Sequence, residues 1–275
     1  MMTMELKDAD FEKIRNLVYE QCGINLHEGK KELVKARLGK RLREGKYKSF
    51  SEYYRYVTTD EGTDELVAMI DSISTNLTSF FREESHFVRL RAIVAAMLVK
   101  TGSRSSVPQF NIWSAGCSTG EEPYTIAITI KEAAGMRPLD ARIFATDIST
   151  KVLRTAEAAI YPEERIKKIN VPVLGKYFQI GTGRSSGYYR VKKDIRDMVV
   201  FQRFNLMDEF PSGFNFDVIF CRNVMIYFDK DTQSRLVNKY HGSLKKDGYF
   251  FVGHSESLTG LQHSFKYIEP SVYQK

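Results

Sequence analysis

A chain of 275 residues, 43% hydrophobic and 27% charged, is an ordinary globular sequence able to bury one large core or two smaller ones, and it has no apolar run as long as a membrane span. The three cysteines (Cys22, Cys117, Cys221) form no C-x-x-C pair and read as small buried hydrophobes, while the five histidines (His27, His86, His241, His254, His263) are scattered without zinc-ligand spacing, so no metal is expected. The net charge is +7, and residues 29–48 account for it, with nine cations against Glu32 and Glu44.

The opening stretch, MMTMELKDADFEK, is too charged for a secretory leader, and a reducing cytoplasm is the expected compartment. Residues 8–22 set Phe11, Ile14, Leu17 and Val18 on one helical face, with Asp8 placed to cap the start and Gly23 to stop it. The basic segment comes next. Val34, Leu38 and Leu42 form its inward stripe, with Lys40 and Arg43 on the far side. Such localised charge suits an acidic partner, whether nucleic acid, membrane surface or acidic protein, or it is only a solvated helix face. Ser49 and Glu52 have capping-box spacing, and Leu66, Ile70 and Ile73 continue a helical period. The first ninety or so residues thus read as a small all-helical domain. STNLTSFFRE follows, neither periodic nor polar enough for a linker, then a helix over residues 84–100 and a hydrophilic break, TGSRSSVPQ, as the linker candidate.

Residues 110–124, FNIWSAGCSTGEEPY, read as strand, tight turn and helix. Gly116 and Gly120 let the backbone turn sharply and approach a ligand, and the helix start offers unpaired N–H groups. A phosphate loop would need Lys and Ser or Thr after its last glycine, and a dinucleotide loop would read G-x-G-x-x-G. Instead Glu121 and Glu122 follow the turn. Two carboxylates there would repel a pyrophosphate and favour a cationic ligand such as S-adenosylmethionine, a sulfonium without phosphate. They would equally suit the positive end of a helix dipole.

From residue 110 on, strands and helices alternate, which predicts an α/β domain with a mostly parallel sheet covered on both faces. RIFATD is a strand ending in Asp147, where doubly wound nucleotide folds bind ribose hydroxyls. FDVIFCRNVMIYFD opens as a buried strand and ends in polar residues. A helix over 231–244, a turn at Asp247 and Gly248, the strand YFFVGH and a last strand-like segment, FKYIEPSVYQK, complete the chain. Residues 177–204 interrupt the alternation with short β-type runs around GTGRSSG, then YYRV and MVVFQRF. They are expected to form an inserted antiparallel hairpin, either a partner contact or plain structure.

TNLTSFFRE, SAGCSTGEEPY, ATDIS, FNL and IFCRNVMIYFD, in this order behind a basic helical domain, closely resemble the chemotaxis receptor methyltransferases, the CheR family, over almost the whole chain. The resemblance implies a helical N-terminal domain (1–95) and a class I, Rossmann-like methyltransferase domain (96–275) with a small antiparallel β-subdomain (about 177–204). It implies S-adenosylmethionine-dependent methyl esterification of glutamate side chains on chemoreceptors, without metal. Carried over by position, the cofactor site comprises Asn76, Thr78, Arg82, Glu122, Asp147, Asn205, Leu206, Arg222 and Asn223. Asp147 would take the ribose hydroxyls and Asn205 and Leu206 the adenine. Arg82 and Tyr227 stand nearest the transferred methyl, and Lys40, Arg41 and Arg43 are assigned to receptor binding. One departure is Cys117 in the pair of small residues before Ser118. Where amine methyltransferases present a polar residue, two prolines and an aromatic, this chain has RNVM (222–225), so an amine acceptor is not expected. A basic nucleic-acid-binding methyltransferase is the competing class, though no stacking aromatics interleave residues 30–46. A non-catalytic cofactor-binding regulator is a third, and it would have lost Arg82 or Tyr227.

Overall fold

The computed structural model describes residues 4–74, 76–101, 107–210, 213 and 215–275, and residues 102–106 of the expected linker lie outside them. The chain divides into two compact units, one running to residue 75 and including Ile226–Gln233, the other holding Asn76–Met225 and Ser234–Lys275.

The described residues of the first unit include α1 (Asp8–Cys22), α2 (Lys31–Glu44), α3 (Phe50–Val57) and α4 (Thr63–Ile73). Its core is the apolar face read from the sequence: Phe11, Ile14, Val18, Val34, Leu38 and Leu42 are buried, joined by Phe50, Tyr53, Met69 and Ile70. Gly23 ends α1 in the left-handed conformation, φ 73°. Asp8 is not the cap. Lys7 occupies that position without a side-chain bond, and Asp8, one residue inside, pairs with Lys31. Ser49 does cap α3, its Oγ accepting from Glu52 N at 3.1 Å, while the Glu52 carboxylate reaches back to Lys48 N at 2.6 Å.

In the second unit come α5 (Ser85–Thr101), β1 (Gln109–Ala115), α6 (Glu121–Ala134), β2 (Asp140–Asp147), α7 (Thr150–Ala158), β3 (Ile160–Pro162), α8 (Glu163–Ile166), α9 (Val171–Tyr177), β4 (Phe178–Ile180), β5 (Tyr188–Val191), α10 (Lys193–Arg196), β6 (Val199–Arg203) and β7 (Phe216–Cys221). After α11 (Lys230–Ser243) follow β8 (Leu244–Val252), β9 (Lys266–Glu269) and β10 (Val272–Gln274). Seven strands make one sheet in the order β6-β2-β1-β7-β8-β10-β9. Its first five members are parallel, and β10 runs antiparallel to both β8 and β9.

The parallel strands are apolar on both faces because both are covered. Phe87 on α5 stacks over Phe220, which stacks on Phe251 at 4.5 Å. On the other face Trp113 packs against Phe216 and Tyr240 at 5.4 Å each. The helix α5, which the expected boundary at residue 95 divides, lies in this unit and contributes Phe87, Leu90 and Val94 to its core.

Three expectations change. MVVFQRF is not part of a hairpin, since β6 pairs parallel with β2 at the sheet edge, and the small sheet is instead β3-β5-β4, beginning at Ile160. The turn at Asp247 and Gly248 falls inside β8, where the pairing with β7 slips between Phe216 and Val218. The last segment is two strands, not one, folding back through Ser271 at φ 64°.

Candidate active site

The strand order reverses at β1, whose neighbours are β2 and β7, and ligands in such sheets bind beyond the carboxyl ends of the strands at that point. There Gly116 and Cys117 both donate N–H to Thr146 O at 2.8 Å, folding the chain off β1 across the end of β2. Gly116 lies at φ 82°, and a Cβ on it would sit 2.4 Å from Val224 Cγ2. Ser118 is left-handed as well, at φ 49°, and Gly120 opens α6 at φ 92° with no side chain capping the helix. Asp147 pins this turn. One carboxylate oxygen accepts from Ser118 N at 2.8 Å and the other from Ser149 N at 2.9 Å. The Ser118 hydroxyl in turn donates to Asn76 O at 2.9 Å, which ties the TNLTSFFRE segment to the turn.

The two glutamates after the turn are buried and each has an arginine. Glu121, with no exposed surface, accepts from Thr119 Oγ1 at 2.6 Å and from Arg165 Nη1 at 2.9 Å. Glu122 accepts from Ser114 Oγ at 2.7 Å and from Arg222 Nη1 at 2.8 Å. The bare double negative charge inferred from the sequence is therefore screened by cations 44 and 100 residues away. Arg222 has a second carboxylate, Glu83, whose Oε2 lies 2.9 Å from Nη2, and it also donates to Arg82 O. Burial would raise the Glu83 carboxyl, but Arg222 outweighs it and holds it below the usual range. Two carboxylates around one guanidinium leave one net negative charge beside the turn.

The remaining site residues fall around this frame. Arg82 is half-buried and donates to Leu77 O at 2.9 Å, and Thr78 O faces Arg165 Nη1 at 3.4 Å. Phe204 N donates to Asp147 O at 3.0 Å, so Asn205 and Leu206 follow β6 directly beside the acid; Leu206 is buried, and Asn205 Oδ1 accepts from Met207 N at 3.1 Å. Asn223 is left-handed, φ 57°, with its N–H on Glu256 Oε2 at 2.8 Å. Cys117 is fully buried; burial first, and the charges of Asp147 and Glu122 after it, push its thiol far up, so it stays protonated. Glu83 and Glu256 were not singled out in the sequence. Glu83 stands next to Arg82 in a segment already noted, whereas nothing local marks Glu256.

Tyr227, Lys40, Arg41 and Arg43 belong to the first unit. Tyr227 ends a short 3-10 turn, and its carbonyl accepts from Asn25 N at 2.8 Å. Arg41 is engaged in packing. Its guanidinium holds Glu65 through two bonds of 2.7 and 2.6 Å, and the Tyr53 hydroxyl shares that carboxylate at 2.8 Å. Lys40 is exposed and pairs loosely with Glu44 at 3.8 Å.

Seven strands in this order, one of them antiparallel, with a glycine turn after β1 and an acid ending β2, define a class I S-adenosylmethionine-dependent methyltransferase domain. Residues 9–74 match the CheR methyltransferase all-alpha domain and residues 76–274 the CheR methyltransferase S-adenosylmethionine-binding domain. The chain belongs to the CheR methyltransferase family. It is 42% identical to a chemotaxis protein methyltransferase of Borreliella burgdorferi, over 100% of this chain and 96% of that protein. It is 40% identical to chemotaxis protein methyltransferase 2 of Pseudomonas aeruginosa (96% and 92% covered) and 38% to the chemotaxis protein methyltransferase of Escherichia coli (98% and 92%).

Proposed function

We propose that the protein transfers a methyl group from S-adenosylmethionine to glutamate side-chain carboxylates on the cytoplasmic domains of chemoreceptors, giving glutamate methyl esters. The observation that carries this reading is the net negative charge left by Glu83 and Glu122 around Arg222, beside a glycine turn too close-packed for a Cβ. The residues fit the cofactor: a ribose acid in Asp147 at the end of β2, and charge complementary to a cation.

S-adenosylmethionine supplies an electrophilic methyl on a positive sulfur. When bound it would give that methyl to an acceptor oxygen and leave as the neutral thioether, a transfer that would need no proton to move. A glutamate carboxylate is already ionised near neutral pH, and the chain has only to position it. Asn76, Thr78, Glu122, Asp147, Asn205, Leu206, Arg222 and Asn223 hold the cofactor in this reading. Arg82 holds a carboxylate, Tyr227 orients the acceptor oxygen, and binding requires no metal.

Lys40 and Arg43 present the basic face of α2 to the receptor, while Arg41 supports that face from beneath through Glu65. The small sheet has β3 and β4 at its edges, and an open edge can take an added strand from a receptor tail. Deleting Arg184–Ser186 should abolish tail-peptide binding and spare methylation of a tail-less receptor fragment. Equal binding of receptors with and without tails would make the small sheet structural.

Incubation with tritiated S-adenosylmethionine, receptor-containing membranes and excess chelator tests the whole reading. Methyl esters release their label in mild base. Base-stable label, or label on nucleic acid, would replace the carboxylate reading with another acceptor.

A further inference from the structure

A second constellation lies behind Arg222. Glu83 precedes α5, His86 sits in its first turn, and His254 follows β8, so three potential ligands from two distant parts of the sequence meet at one place. One ligand atom from each lies within 4.8 Å of the others. His86 is 1% exposed, and neither of its ring nitrogens has a hydrogen-bond partner. Its Nδ1 is 3.6 Å from Glu83 Oε2, and the His254 ring stands edge-on to it at 4.9 Å between centroids. His254 is exposed and contacts Ser85 Oγ through Nε2 at 3.2 Å.

A neutral imidazole carries one donor and one acceptor, and burying both without partners is costly unless something else satisfies the ring. Burial first and the Arg222 charge second push the His86 pKa down to about 3, so the ring is neutral and has a lone pair to give. The remaining groups facing it are the Phe251 ring, 5.5 Å away, and Arg222, whose charge is matched by two carboxylates.

We propose that Glu83, His86 and His254 form a binding site for a divalent transition ion of the zinc class. Two imidazoles and one carboxylate are a borderline donor set suited to Zn2+, whereas Mg2+ and Ca2+ require mainly oxygen ligands. Zinc bonds of about 2.1 Å in a tetrahedron put ligand atoms roughly 3.4 Å apart, close to the Glu83–His86 spacing, and water would fill the fourth position. The His254 ligand atom is within 4.8 Å of the other two, and its ring is on the surface, where it can close the remaining gap. Occupancy would draw Glu83 Oε2 away from Arg222, and Arg222 also holds Glu122. An ion there therefore loosens the frame of the cofactor site and lowers cofactor affinity. That consequence rests on the functional reading above; the ion site itself does not.

The test is calorimetric titration of untagged, chelator-stripped, full-length protein with Zn2+ alone, with Co2+ as a spectroscopic probe of tetrahedral coordination. His254→Gln should weaken Zn2+ binding about tenfold or more and abolish the Co2+ absorption bands of the tetrahedral site. His86→Gln should do the same; should that buried substitution prevent folding, the surface variant decides alone. Zn2+ should also weaken binding of S-adenosylhomocysteine severalfold in the wild type and leave His254→Gln unaffected. No saturable zinc binding, or equal binding by wild type and His254→Gln, overturns the site. Zinc binding with unchanged S-adenosylhomocysteine affinity overturns the coupling. Because the zinc titration is read without cofactor, failure of the cofactor reading would show separately, as absence of S-adenosylhomocysteine binding in every sample.

Discussion

Arg222 ties together several parts of the second unit. It is 6% exposed, lies over the Phe87 ring at 5.5 Å, and divides its donors between Glu83, Glu122 and the Arg82 carbonyl. A lysine could not do this, because its point charge lacks the planar fork that reaches several acceptors at once. Tyr227 has a different kind of task in the proposed reaction, which is to hold the acceptor oxygen only as the methyl passes. An interaction made mainly in the transition state appears in kcat. Tyr227→Phe should therefore lower turnover about ten- to a hundredfold, the worth of a hydrogen bond to a charged group, with S-adenosylhomocysteine affinity nearly unchanged. Steady-state kinetics beside calorimetry will separate the two, and equal losses in both would reduce Tyr227 to a binding residue.

Among the elements, the longer helices were legible because their burial follows a period, whereas α8, α9 and α10, of four to seven residues, were not. Val34, Leu38 and Leu42 are spaced by four and are fully buried, and Ser49 caps where its spacing to Glu52 said it would. Pairing partners were not legible. A short apolar run such as VVF looks the same whether it folds back on its neighbour or joins the edge of a large sheet, and β6 does the second. The glycine turn was readable as a turn, but not its charge balance, since Arg165 and Arg222 arrive from remote segments; the meeting of His86 with His254 was hidden for the same reason. Close packing at the turn gives a direct test. Gly116→Ala places a methyl 2.4 Å from Val224 Cγ2 at φ 82°, so it should cost about 1–3 kcal/mol and weaken S-adenosylhomocysteine binding. Adding Val224→Ala removes the clash and leaves the backbone strain, so only partial recovery is expected; full recovery would show that the conformation there does not matter. In α2, Arg41→Ala strips Glu65 of its partner and should lower stability by about 1–2 kcal/mol, a figure discounted for partial exposure. Burial acts to raise the Glu65 carboxyl, but the Arg41 and Tyr53 bonds lower it overall. A depressed carboxyl stabilises above its unfolded pKa and loses that stabilisation as pH falls through the folded one. The gap in melting temperature between wild type and Arg41→Ala should accordingly be full at neutral pH and close as pH drops below about 4. A gap that does not change with pH would assign the effect to packing.

At the scale of the whole molecule, the charge excess of +7 is concentrated in residues 29–48, and the remaining sequence is neutral. In the folded chain that segment divides its cations by role. Arg37 donates to the carbonyls of Ser72, Ile73 and Ser74 at the end of α4, Arg41 holds Glu65, and Lys40 remains outward. In the proposed reaction the protein esterifies glutamates and so approaches a surface rich in carboxylates, and attraction between the two mainly raises the association rate. It is also screened by salt, over a Debye length of about 8 Å at physiological ionic strength. Charge reversal with Lys40→Glu and Arg43→Glu should raise the apparent KM for receptor about tenfold at low salt while leaving S-adenosylhomocysteine affinity unchanged. The wild-type rate at subsaturating receptor should fall with added salt, and the rate of the reversed protein should fall less or rise, so the two curves converge. Parallel salt curves would remove α2 from receptor recognition, and competition by duplex nucleic acid at physiological salt would assign its charge to a different partner.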